Sequence, residues 1–151
     1  MSGPGTRPAR ARLGFGWPVL VLLAALAAPR VVLHDLGVVR EGELVNALLV
    51  FVPPAVWIAA VLWRRPPRPF ATLLVVGALY GVFLAVGHQL AWSTVWDGRS
   101  PALGGNLADL PAGVQEVATR SFAVFSSVAT GMLVGAVAGA VALLLERVRR
   151  R

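Results

Sequence analysis

The sequence predicts an all-α protein, a polytopic bundle of four transmembrane helices with a short interfacial helix before the last span. Three observations predict it. Hydrophobic residues make up 57% of the 151 residues and charged residues only 14%, against about 45–50% and about 25% in soluble domains. The apolar residues fall into four blocks of about 20, the length needed to cross a hydrocarbon core of ~30 Å. The basic residues gather at the ends of those blocks and on one side. The chain holds no cysteine, which excludes disulfides, thiolate metal sites, thiol redox chemistry and a lipoprotein anchor.

Residues 1–12, MSGPGTRPARAR, offer almost nothing to bury and read as a disordered basic tail. The four-helix domain then occupies residues 13–145. Its first span runs from Leu13 to Leu33, opens with Phe15 and Trp17, and carries Pro29 and Arg30 near its far end. Basic residues, an apolar stretch and Ala25-Leu26-Ala27 also have the form of a cleavable secretory signal. Pro29 and the apolar continuation Val31-Val32-Leu33 favour an uncut span; were it cut, three spans would remain.

A short connection, His34–Glu43, leads to the second span, Leu44–Trp63. Pro53-Pro54 in its middle predicts a kink, because proline removes an amide donor and frees the carbonyl four residues before it. In a membrane such carbonyls are satisfied by packed neighbours or line a cavity. The turn RRPPRP, Arg64–Pro69, precedes the third span, Phe70–Trp92. The one long loop, Ser93–Arg120, contains the turn segments DGRSP and LGGN. Within it Asp109-Leu110-Pro111 predicts a helix start with Asp109 as N-cap. Leu110, Val114 and Val117 recur at helical spacing beside polar Gln115, Glu116 and Arg120, the pattern of a helix lying on the membrane surface. The fourth span is Ser121–Leu145, and residues 146–151 are a second basic tail.

All fourteen basic residues are arginines. The N-terminal tail, the RRPPRP turn and the C-terminal tail hold ten of them, with Glu146 the one acid; the opposite side holds Arg30, Arg40, Arg99 and Arg120 against six acids. Ten against four predicts that both termini and the RRPPRP turn are cytoplasmic, in a multi-pass protein of the cell (inner or plasma) membrane. The same distribution argues against nucleic acid as a partner, since no basic stripe is interleaved with exposed aromatics. The bilayer is the partner it does predict, with attraction to anionic headgroups as a general property of such flanks.

The fourth span places Ala123, Ser127, Gly131, Gly135 and Gly139 four residues apart, on one helix face, and the third offers Gly77, Gly81 and Ala85. Small residues let backbones approach closely, a main source of helix association in lipid. This glycine zipper fits packing of spans three and four within one chain, or of two copies as a homo-oligomer.

Polar groups collect in the outer third: Arg30, His34 and Asp35 close the first span, Asn46 opens the second, and His88 and Gln89 end the third, with Ser126, Ser127 and Thr130 early in the fourth. Below them lie Thr72 and Tyr80. No carboxylate falls near the midplane, which disfavours a conventional ion-coupled carrier. The arrangement predicts a shallow polar cup over a dry, glycine-packed base. His34 and His88 at similar depth are the only weak candidates for metal ligands, their spacing matches no ligand motif, and no cofactor is predicted. No nucleophile elbow, phosphate-binding loop or carboxylate pair is present, so no catalytic residue is assigned.

The lysine-free composition and the segments RVVLHDLG, NALLVFVPPAVW and LLVVGALYGVFLAVGHQLAW resemble the small four-span membrane proteins of high-GC actinobacteria that carry no assigned activity. That resemblance implies a four-span bundle and transfers no functional residue. The expectation is a non-enzymatic membrane component binding a lipid or protein partner. A small channel or transporter subunit is the alternative, and an outer-leaflet metal-dependent or lipid-modifying enzyme using His34, Asp35 and His88 comes third.

Overall fold

A computed structural model describes residues 12–98 and 100–151. The N-terminal tail to position 11, with Arg7 and Arg10 of the basic count, lies outside the described residues, as does Arg99. The described residues form helices α1 (Trp17–Ala25), α2 (Pro29–Asp35), α3 (Leu44–Arg64), α4 (Pro69–Val95) and α5 (Ala112–Arg149), with a 3-10 turn at Gly105–Leu107 and no strand. Four segments are long and apolar enough to cross a membrane: Trp17–Asp35, α3, α4 and α5. The protein is a multi-pass helical membrane protein.

The first span starts at Trp17, four residues later than its sequence suggests, because Gly14 turns the chain with φ +74°. A Cβ there would lie 2.5 Å from Cβ of Pro66, so glycine allows the entering chain to press against the proline turn. The span is also not one helix. Pro29 has no N–H for the carbonyl of Ala25 and its ring crowds that oxygen, which accepts instead from Ala28 N–H at 3.0 Å. Ala27 N–H donates to Ala24 O at 3.2 Å rather than to Leu23 O. The freed Leu23 carbonyl accepts from the Trp57 indole N–H at 2.7 Å. A break in one helix is thereby closed by a side chain of another.

α3 runs unbroken through Pro53-Pro54, with Pro53 buried. α4 packs against every other helix, and its contact with α5 is by far the most extensive. Glycines make that contact: a Cβ on Gly77 would fall 2.7 Å from Gly135 Cα, and one on Gly81 would fall 2.8 Å from Val128 Cα. Ser127, Gly131, Gly135 and Gly139 are all buried, and Gly139 abuts Phe70. The small-residue face of α5 is therefore occupied by α4 of the same chain. The core adds Leu20, Trp57, Val61, Leu73 and Val76, with Trp57 edge-on to Tyr80 at 5.9 Å between ring centroids. Outward, α3 presents Leu44, Leu48, Phe51 and Val52 exposed, an apolar surface suited to acyl chains and not to water.

α5 has 38 residues, roughly 57 Å at 1.5 Å per residue, and so extends well beyond a hydrocarbon core of ~30 Å. The short helix expected before the last span is the first part of α5 and is continuous with it. Its start is also shifted: Pro111 is extended (φ −52°, ψ 140°) and is itself the N-cap, without a side-chain bond. A proline disfavours helical geometry in the residue before it, so Asp109 stands in the preceding turn and the helix begins at Ala112. The last helix continues through Arg149, past the expected boundary at Leu145.

The two ends of the bundle differ in chemistry. At one end Arg65, Glu146, Arg149 and Arg150 surround a single depression, and Thr72 Oγ1 donates between Leu13 O and Arg68 O, 2.9 Å from each. At the other end lie Arg30, His34, Asp35, Asn46, His88, Gln89 and Arg120. Arg64 and Phe15 border a groove at the arginine-rich end.

Candidate functional site

At the polar end the residues of the expected cup separate into three sites. The first joins α2 to α3: Arg30 Nε donates to Asn46 Oδ1 at 3.3 Å. Arg30 is partly buried among the helices and has no carboxylate partner among the described residues. It turns inward, although a basic residue at a span end can also extend to the headgroups.

The second is a clasp between α4 and α5. Arg120 donates from NH1 to Gln89 Oε1 at 3.1 Å and from Nε to Glu116 Oε1 at 2.9 Å. Gln89 Nε2 donates back to the Arg120 carbonyl at 3.3 Å. The guanidinium carbon lies 4.9 Å from the Trp92 ring centroid, a stacked cation on an indole face.

The third is a cleft of about 620 Å³ between the far ends of α4 and α5. Its polar floor is Asp35 and His88, its aromatic walls are Trp92, Trp96 and Phe122, and Pro101, Leu103 and Leu107 of the long loop close one side. Ala118, Thr119, Ala123 and Ser126 complete the α5 wall. His88 Nδ1 donates to Asp35 Oδ2 at 2.7 Å, which ties α2 to α4. The second oxygen of Asp35 lies 3.8 Å from His34 Nδ1, beyond hydrogen-bond distance. Phe122 is 70% exposed at the rim, whereas Trp92 is 7% exposed at the base.

Local sequence holds the loop over this cleft. Gln115 Oε1 accepts from Leu103 N–H at 2.9 Å, and its Nε2 donates to Ala108 O at 3.0 Å and Leu110 O at 2.8 Å. Trp92 Nε1 donates to Ser100 Oγ at 3.2 Å. A long loop without strand or helix partners would leave its backbone polar groups to water; here one glutamine satisfies three of them and sets Leu103 in the cleft wall.

Of the candidates named from sequence, the structure brings Asp35 and His88 into direct contact, sets His34 beside Asp35, pairs Arg30 with Asn46, and directs Gln89 to Arg120. His34 Nε2 lies 3.8 Å from Glu41 Oε1. Among the described residues no three histidine, aspartate or glutamate side chains converge to hold a metal ion. Ser126 lines the cleft, Ser127 donates to Ala123 O at 2.7 Å within its own helix, and Thr130 is exposed. The aromatic walls are what sequence reading missed. Trp92 and Trp96 are one turn apart, with ring centroids 6.3 Å from each other, and that spacing is the signal that could have found them. No family model, curated protein or solved structure matches the chain.

Proposed function

We propose that this chain is a non-enzymatic component of the cell membrane that binds an amphiphile, a lipid or lipid-like molecule, in the cleft between α4 and α5. The observation that carries the reading is the combination of about 620 Å³ of space, a mostly apolar and aromatic lining, and one polar pair at its floor. Small-molecule sites have ~300–1,000 Å³ and a few placed polar groups in an apolar wall. The positions of the arginines support both termini being cytoplasmic, which puts the cleft at the outer face. The glycine zipper of α4 and α5 then acts as the rigid base on which the cleft is built.

Native mass spectrometry of the chain purified in mild detergent tests this. The wild type retains an amphiphile as an adduct, and Ala118→Trp, which fills the cleft from an exposed wall position, releases it while the helical content is unchanged. Equal retention by the filled variant, or no adduct on the wild type, overturns the reading.

A further inference from the structure

The chemistry of the cleft narrows its ligand, on the reading that the cleft is a binding site at all. We infer that it takes an amphiphile with a cationic headgroup, an alkylammonium, held by the Asp35 carboxylate and the faces of Trp96 and Phe122.

Charge complementarity is the first argument. Among the described residues lining the cleft, Asp35 and His88 are the ionisable ones, and Asp35 is the one acid. Arg120, the nearest cation on α5, is turned away: its guanidinium is spent on Gln89, Glu116 and one face of Trp92. An anionic headgroup would meet Asp35 with no arginine among the described residues of the lining to offset it. A neutral headgroup would leave a carboxylate of low exposure, 11% for its side chain, with the His88 imidazole as its one close partner among the described residues and apolar walls around it.

Geometry is the second argument. Oδ2 of Asp35 is taken by His88, while Oδ1 has no donor within hydrogen-bond distance among the described residues. Oδ1 is not sealed either, since among the described residues no buried side-chain oxygen or nitrogen lacks a partner. An acceptor is thus open to a ligand. The same cleft is lined by the rings of Trp96 and Phe122, and aromatic faces attract quaternary and alkylated ammonium groups strongly. Trp92 already accepts a guanidinium on its face, so this cluster of rings takes cations in the structure itself.

The test uses the full chain in dodecyl maltoside, a neutral micelle free of ammonium groups. Tryptophan emission is titrated with octyltrimethylammonium and, separately, with octyldimethylamine oxide, an uncharged analogue of nearly the same shape. The expected result is about tenfold tighter binding of the ammonium, a preference that Asp35→Asn removes. If both ligands bind the wild type equally, the cleft binds amphiphiles and the inference of a cation fails. If the preference survives Asp35→Asn, the carboxylate is not the recognition element and the inference fails also. If neither ligand binds, the cleft is not a site for amphiphiles, and both readings fail. The comparison of two ligands on the wild type needs no variant, so a poorly folded Asp35→Asn does not remove the test.

Discussion

One carbonyl oxygen, that of Leu23, illustrates how far single residues determine this bundle. Pro29 ends the helical ladder, Leu23 loses its partner, and the Trp57 indole supplies one across the helix interface at 2.7 Å. Trp57→Phe keeps an aromatic ring near Tyr80 but removes both the donor and part of a fully buried side chain, so it should destabilise the fold by a cavity cost plus ~0.6 kcal/mol, the mean for interhelical hydrogen bonds in membranes. Pro29→Ala restores the N–H that a continuous helix needs and returns Leu23 to Ala27. In that background the same Trp57→Phe change should cost less, by about the hydrogen-bond contribution, with the cavity cost remaining. Reversible unfolding in mixed micelles of the two single variants and the double variant measures the coupling; equal costs in both backgrounds would show that the indole does not serve the broken helix. Partnerships of this kind were not legible in the sequence. Trp57 reads as one apolar residue of a span, and nothing local states which carbonyl it will meet. Arg30 is similar: its depth was readable, but its pairing with Asn46 depends on where α2 lies after the break.

At the scale of the elements, the contact between α4 and α5 was the most legible feature, since a spacing of four small residues puts them on one face whatever the rest of the fold does. Its partner within the chain was not determined by that spacing and required the structure. The close approach gives a graded expectation. Gly135→Ala would place a Cβ 2.9 Å from Gly77 Cα, backbone that can move only by separating the helices, at a cost of about 1–3 kcal/mol. Gly113→Ala, near the start of the same helix and with open space around it, should be neutral or stabilising, because glycine is the poorer helix former by about 1 kcal/mol. Thermal unfolding of both variants checks the contrast, and similar losses would mean that glycine matters through helix propensity and not through contact. The continuity of α5 was readable but obscured. Polarity changes sharply near Arg120 and Ser121, yet no proline follows Pro111, so the helix has no physical reason to stop there. The loop before it depends on Gln115, which makes three hydrogen bonds to that loop's backbone. Gln115→Ala should raise amide hydrogen exchange across 101–110 while leaving α4 and the rest of α5 protected. Unchanged exchange in the loop would mean that its contacts with Trp92 and the cleft wall are sufficient to hold it.

For the whole molecule, four spans were legible because hydropathy integrates over about 20 residues and tolerates local errors of a turn. The cleft was not, because it is made by side chains distant in sequence, from Asp35 to Ser126, and exists only once α4 and the protruding part of α5 stand side by side. The proposal for which face it opens on rests on charge. The arginine-rich end holds Arg64, Arg65, Arg68 and the C-terminal arginines, and a cytoplasmic excess of arginine sets orientation in short-looped membrane proteins. The cysteine-free chain allows that orientation to be measured with one introduced thiol at a time. Val38 and Ala102 are exposed at the polar end, and Pro67 lies exposed in the turn at the other. Ala102 is preferable to Ser100, whose hydroxyl accepts from Trp92 at 3.2 Å and should not be disturbed. In intact cells an impermeant maleimide should label Val38→Cys and Ala102→Cys, and should label Pro67→Cys and Arg151→Cys only after the membrane is opened. The reverse pattern would keep every contact described above and place the cleft at the cytoplasmic leaflet, where its ligand would have to come from inside the cell. Labelling of one polar-end site without the other would contradict four spans, because Val38 and Ala102 are separated by α3 and α4, an even number of crossings, and must share a side.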